Sequence, residues 1–473
     1  LAAGLRLAAL LFAALAAASP DTGFAVRIVK ISGPPDAAST REHLQFCREL
    51  GFNALWVESS EAGAWTKEAA PEGPRLTPEF LRLARWCKRR DIDLWVAIRP
   101  VADSAGRFVF TDPERQRRVL AFASKLREQA GVRRLVLALD DAPAELRELS
   151  DIFTLGASSA PAHLTLARRL ADALPGDAAL WLLAPAHCDA QLGDGNGPYA
   201  KPFLAGLPSL PARVGLVWSG PQVLSPSITG ADLSATRARL GGRPLVLEDS
   251  FPTDDDNVED DAMALLLAAL RGRDPAIREA VSGYVACPPR PLAGSRFTLL
   301  TIASFLKDPA AYDPGAATKA AIARLAGRDP AAASALETQQ LEWGGALSGR
   351  NYWPRSLLNP ALAAGRLHDP AFVDSFTWTA ERYPGRMSSL ARLADAPFRG
   401  ELLRMMRRRL AIARAMPLTV DYLARVRAGD PEAVALLVRI EDERRSWRDD
   451  PDARSALDGF LSAAAVPVAA SAR

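Results

Sequence analysis

The sequence predicts an α/β fold, a (β/α)8 TIM-type barrel followed by an all-α helical domain. Three observations carry that expectation. Eight short apolar β-type runs recur between residues 24 and 286, amphipathic helical runs separate most of them, and beyond about residue 310 the β-type runs stop. Strands alternating with helices imply a parallel sheet with crossover helices. Eight repeats over about 285 residues match a barrel in size and count. A doubly wound open sheet is the alternative. The first strand–helix connection has no G-x-G-x-x-G, which argues against a dinucleotide site.

The expected strands, in order, are Phe24–Ile31, Asn53–Val57, Asp93–Ile98, Arg134–Leu139, Ala179–Leu183, Val214–Trp218, Pro244–Leu247 and Ser282–Ala286. Helical periodicity fills Thr40–Leu50, Thr77–Arg89, Pro113–Gln129 and Ala162–Leu174 between them. Ser32-Gly33-Pro34-Pro35-Asp36 and the Gly/Pro-rich stretch Gly193–Pro208 read as loops. In the C-terminal part Asp-Pro recurs at helix starts, at Asp329-Pro330, Asp369-Pro370, Asp430-Pro431 and Asp450-Pro451. There Asp caps open N–H groups and Pro fits the first helical position. The expected organisation is a signal peptide over 1–20, the barrel over 21–310, a helical bundle over 311–465 and a disordered tail over 466–473.

The 473 residues are 49% hydrophobic and 24% charged, with a net charge of +3. That is an ordinary globular composition. No basic stripe is interleaved with aromatics, so no nucleic-acid partner is expected. Arg6 and the apolar stretch Leu7–Ala18 are too short for a transmembrane helix and read as a secretory signal. The mature chain is therefore expected to be exported, periplasmic or extracellular, with no membrane span. Cys47, Cys87, Cys188 and Cys287 match no zinc spacing, and no metal or organic cofactor is expected. Oligomeric state stays open.

The run from Gly131 to Leu139 ends abruptly in Asp140-Asp141. In a barrel, catalytic residues sit where strands end, and two acids there can divide acid/base work. The competing reading is a helix cap before Ala142-Pro143. Read together, the strand ends also offer Trp218-Ser219-Gly220, Glu248-Asp249-Ser250 with Asp254-Asp255-Asp256, and Cys287-Pro288. Carboxylates and a Trp suit a sugar, through hydroxyl hydrogen bonds and C–H packing on the ring face. A Cys188–His187 nucleophile pair is disfavoured because adjacent positions rarely meet in that geometry. The acidic run lacks the spacing of a calcium loop.

Val217-Trp218-Ser219-Gly220-Pro221-Gln222-Val223-Leu224-Ser225-Pro226-Ser227-Ile228-Thr229 resembles the W-T-G-P-x-V-x-S-x-x-I-T signature of glycoside hydrolase family 84, the retaining β-N-acetylglucosaminidases. Asp140-Asp141 resembles the family's F-D-D segment. Leu245–Asp255 resembles W-D-N-x-P-x-N-D, and Ser282–Pro288 resembles G-x-x-x-N-P. The resemblance covers roughly residues 24–310. It implies substrate-assisted cleavage of a 2-acetamido sugar, with Asp140 orienting the acetamido N–H and Asp141 as general acid and then general base. It also implies that Asp255 holds outer hydroxyls, and it puts Trp218, Asp249, Ser250, Cys188 and Cys287 at substrate-binding positions.

The departures from that pattern are substantial. The Lys of Y-x-P-K after the second strand is missing, and Val57-Glu58-Ser59-Ser60 stands there. Cys188 takes the place of the Tyr in C-P-x-E-Y, Ser250 that of Asn in W-D-N, and Cys287 that of Asn in N-P. G-F-Y-G is absent after the first strand. Each lost hydrogen bond to a well-placed group costs about 1–3 kcal/mol. A catalytically degenerate relative, serving as a glycan-binding or protein-interaction module, is the alternative function.

Overall fold

A computed structural model describes residues 23–31, 38–58, 75–100, 108–251, 267–288, 292–344, 370–464 and 466. The expected signal peptide and Asp254-Asp255-Asp256 lie outside the described residues.

Eight parallel strands close into a barrel in sequence order: β1 Arg27–Ile31, β2 Ala54–Glu58, β3 Asp93–Ile98, β4 Arg134–Ala138, β5 Ala179–Leu183, β6 Gly215–Trp218, β7 Leu245–Asp249 and β8 Gly283–Ala286. β1 pairs with β8 through Ile28 and Val285, which closes the ring. The larger helices between strands are α1 Ala38–Glu49, α2 Pro78–Lys88, α3 Pro113–Ala130, α4 Leu149–Leu155 and α5 Ala160–Ala173. They are followed by α6 Asp189–Leu192, α7 Ala200–Gly206, α8 Gly230–Arg239 and α9 Ile277–Ala280.

Local chemistry sets their ends. Thr77 accepts from the Phe80 N–H before Pro78, and Asp112 accepts from Glu114 before Pro113. Thr229 and Asp232 form a reciprocal capping box on α8. Gly131 stops α3 at φ 70°, a left-handed turn that a side chain disfavours, and the chain enters β4.

Alternation along the strands sorts side chains between two layers. Ile28, Ala54, Trp56, Trp95, Ala97, Val136, Ala138, Trp181, Leu183, Val217, Val246 and Val285 form one buried cluster, the barrel interior. Its centre is aromatic. Trp56 and Trp95 stack at 6.5 Å, and Trp95 and Trp181 at 5.4 Å. Gly215 on β6 lies against the Trp181 ring, where a Cβ would clash.

The chain divides into two compact units. The first takes the described residues within 1–251, 270–288 and 301–314, and the second those within 252–269, 289–300 and 315–473. The second is helical: α11 Pro314–Ala326, α12 Pro330–Gly344, α13 Pro370–Leu390, α14 Ala396–Arg427, α15 Ala433–Ser446 and α16 Pro451–Ala463 follow α10 Arg296–Lys307. Asp329, Asp395 and Asp450 accept from the first-turn N–H groups of α12, α14 and α16, the capping that Asp-Pro predicts for α12 and α16. Val466, expected in a disordered tail, is instead buried with Leu457, Phe460 and Leu461, and its N–H donates to Leu461. Its apolar side chain completes that cluster. Among the described residues no helix is long and apolar enough to cross a membrane.

Candidate active site

One step of two residues beyond the apolar interior, the inward-facing positions become charged. Lys30 follows Ile28, Glu58 follows Trp56, Arg99 follows Ala97, Asp140 follows Ala138 and Glu248 follows Val246. Each stands at the C-terminal end of its strand, so all converge on the barrel mouth.

They form a continuous arc of ion pairs. Lys30 Nζ donates to Glu248 at 2.6 Å and lies 3.6 Å from Glu58. Arg99 Nε donates to Glu58 at 2.7 Å. Its NH1 and NH2 donate to the two Asp140 oxygens at 2.7 and 3.1 Å. NH1 also reaches Asp141 Oδ2 at 3.0 Å. The arc rests on the tryptophan layer: Lys30 lies 5.2 Å over the Trp56 ring, and the Trp56 indole donates to Glu58 at 3.3 Å.

Burial works against the charge on Lys30, but Glu248 and Glu58 outweigh it and raise the ammonium's pKa above its ordinary value. Burial likewise opposes the Arg99 charge, and Glu58 and Asp140 outweigh it. Both cations stay protonated, so neither is a nucleophile.

The two aspartates differ sharply. Asp140 has a side chain 17% exposed, whereas Asp141 is 86% exposed. β4 ends at Ala138, and Asp140 keeps the inward parity two positions beyond it while Asp141 follows in the next position. Asp140 turns into the mouth and Asp141 stands at its rim.

Cys287, at the end of β8, packs against the interior cluster with its thiol 3.7 Å from Glu248. Burial pushes that thiol well above its ordinary pKa. Ser250 follows β7 and is half-buried. Cys188 is buried ahead of α6, and burial raises its thiol as well. His187 turns its ring toward the Ala184 carbonyl at 3.2 Å. None of the four cysteines is in a disulfide, and among the described residues no group of His, Cys, Asp and Glu is arranged to hold a metal.

Trp218 and Asp249 lie away from the mouth. Trp218 is 1% exposed and does not face the mouth. Its neighbour Val217 takes the inward position, so the Trp218 indole lies in the strand–helix layer beside Asp189, whose carboxylate accepts from Thr236 on α8. Asp249 is also turned outward, because Glu248 takes the inward position. Both Asp249 oxygens accept from Arg273 at 2.7 Å, and the Tyr284 hydroxyl donates to it too. A carboxylate so saturated binds no sugar hydroxyl without breaking a buried pair. Asp255 lies outside the described residues.

Glu248 stands in the strand end Glu248-Asp249-Ser250 read from sequence, whereas Lys30 and Arg99 belong to no motif there. The signal that finds them is parity: each is the first charged residue two positions beyond an inward apolar one.

A match to a family described as beta-N-acetylglucosaminidase spans residues 69–339. Among solved structures, a mutant of the O-GlcNAc hydrolase of Thermobaculum terrenum aligns with a TM-score of 0.62 at 18% identity, covering 93% of this chain and 94% of that one. The structure of CpGH84B aligns with a TM-score of 0.56 at 15% identity, covering 93% of this chain and 77% of that one. At these identities the structural likeness speaks for the fold.

Proposed function

The chain belongs to the beta-N-acetylglucosaminidase family, glycoside hydrolase family 84, and from that premise we propose that its barrel mouth hydrolyses a terminal β-linked 2-acetamido sugar from a glycoconjugate. Family membership implies a sugar substrate. The observation that carries the finer reading is the asymmetry at the end of β4, one carboxylate inside the mouth and the next at its rim.

That asymmetry suits two different tasks. The acetamido carbonyl oxygen attacks the anomeric carbon while the glycosidic C–O bond breaks, giving an oxazoline-like intermediate and retention overall. Asp140, inside, accepts the acetamido N–H and stabilises the positive charge that develops there. Asp141, at the rim, gives its proton to the departing oxygen and then takes one from the water that opens the intermediate. Its Oδ2 accepts from Arg99 at 3.0 Å, which holds the carboxyl at the rim of the mouth. The reaction draws on groups of the sugar and the chain, an exception to the two-carboxylate scheme. The apolar stretch 7–18 supports an exported site of action.

A second reading, binding without turnover, is favoured by one observation: Arg99 holds both aspartates at once. The test is turnover of chromogenic β-glycosides of N-acetylglucosamine and N-acetylgalactosamine by the wild type, Asp140→Ala and Asp141→Ala. Loss in both variants supports hydrolysis. A folded wild type that binds the sugar without turning it over supports the second reading.

A further inference from the structure

We propose that Arg99 is a positioning residue for the Asp140–Asp141 pair, with Glu58 as the brace that holds Arg99 in place. The inference rests on the hydrolase reading of the mouth and adds to it a residue that the sequence pattern did not single out.

The geometry has three parts. First, the guanidinium grips Asp140 by a fork, NH1 to Oδ1 at 2.7 Å and NH2 to Oδ2 at 3.1 Å. Two parallel bonds fix the carboxylate plane, whereas one bond leaves it able to rotate. Second, NH1 is shared with Asp141 Oδ2 at 3.0 Å, so one planar group sets the two carboxylates relative to each other. Adjacent like charges would otherwise push apart. Third, the remaining edge of the guanidinium is held by Glu58, Nε to Oε2 at 2.7 Å. Glu58 is itself fixed by the Trp56 indole and by Lys30. The contacts Glu58–Arg99–Asp140 run over three neighbouring strands, so the orientation of Asp140 is set by β2 and β3 as well as by its own strand.

A rigid fork and a point charge do different things here. A lysine at 99 would keep the positive charge and lose the planar grip. If Arg99 only balanced charge, Lys would serve as well. If it positions Asp140, Lys would not.

The experiment compares the wild type, Arg99→Lys, Arg99→Ala and Glu58→Gln on a chromogenic N-acetyl-β-glucosaminide, with melting temperature and calorimetric affinity for N-acetylglucosamine measured on each. Positioning predicts a kcat about 30-fold or more lower in Arg99→Lys. It also predicts a larger loss in Arg99→Ala that millimolar guanidinium partly restores and methylammonium does not. Glu58→Gln is expected to lower kcat more than it raises KM. Arg99→Lys keeps the charge and its melting temperature reports its fold, so the outcome does not depend on Arg99→Ala being stable. Wild-type kcat in Arg99→Lys overturns the inference and leaves the hydrolase reading standing. A folded wild type that binds sugar without turnover overturns the hydrolase reading. Arg99 is then judged on affinity alone, where unchanged binding in both Arg99 variants overturns the inference. A wild type that neither binds nor turns over overturns both.

Discussion

Lys30 at the end of β1 donates to Glu248 on β7 at 2.6 Å, reaching past β8, the strand that lies between them. The pair ties the first strand of the barrel to the seventh at the level where the interior changes from apolar to charged. Both side chains are mostly buried, so each depends on the other.

Removing one partner therefore costs more than the pair itself contributes. Lys30→Met leaves Glu248 without its nearest cation and is expected to cost about 3–5 kcal/mol in urea unfolding, with Lys30→Met/Glu248→Leu recovering part of it. The raised pKa of Lys30 fixes the pH dependence. Its contribution is fully present below the unfolded lysine value of about 10.4. It declines above that, as the unfolded chain gives up a proton that the folded chain keeps. The stability gap between wild type and Lys30→Met should be constant from pH 7 to 9 and narrow at pH 11. A gap that widens at pH 11 contradicts this.

His163 predicts a second pH dependence, of opposite sign. It is fully buried on α5 beside the Tyr199 hydroxyl at 3.1 Å, and burial pushes its pKa down to about 3. The unfolded chain takes up the proton near pH 6.5 and the folded chain does not. Stability from the neutral ring is full above that value and is lost as pH falls toward about 3. His163→Gln should flatten the acid limb by roughly 3 kcal/mol, read as unfolding free energy at pH 7 and pH 4. Parallel curves for the two proteins would show that the ring is protonated in place.

Asp249 is expected to act on stability. Asp249→Ala strands the Arg273 cation, whose side chain is only 4% exposed, and should cost about 3–5 kcal/mol. Asp249→Asn keeps acceptor and shape and should cost less. An unchanged melting temperature with a raised KM would instead place this carboxylate on the sugar.

Gly215 is required by its neighbour. A Cβ there meets the six-membered ring of Trp181, which is held in the tryptophan stack. Gly215→Ala should destabilise by about 1–3 kcal/mol through overpacking. Gly215→Ala combined with Trp181→Leu should recover part of that loss.

The barrel was legible because its interior is made of apolar β-type runs whose length and spacing need no partner information. All eight expected strands overlap the eight observed. β7 extends to Glu248 and Asp249, two charges that a hydrophobic pattern excludes from a strand. They fit because each is paired on its own side of the sheet. The mouth was less legible. Asp140 and Asp141 stood out as adjacent acids at a strand end and Glu248 as part of another, but Lys30 lies 218 positions from Glu248 and looks like an ordinary surface charge in sequence. Trp218 shows the other limit. An aromatic at a strand end reads as a sugar platform, yet the inward place belongs to Val217, and a shift of one residue reverses the face.

In the proposed reaction the acetamido group of the sugar takes part in its own release at this mouth. The most direct measurement compares initial rates of the wild type on a 4-nitrophenyl N-acetyl-β-glucosaminide and on the matching β-glucoside, which lacks that group. Substrate-assisted hydrolysis predicts turnover of the first that Asp140→Ala abolishes, and rates at least about 100-fold lower on the second, since the lost internal nucleophile is worth several kcal/mol. Equal rates on both sugars, or turnover of the first that survives Asp140→Ala, would contradict it.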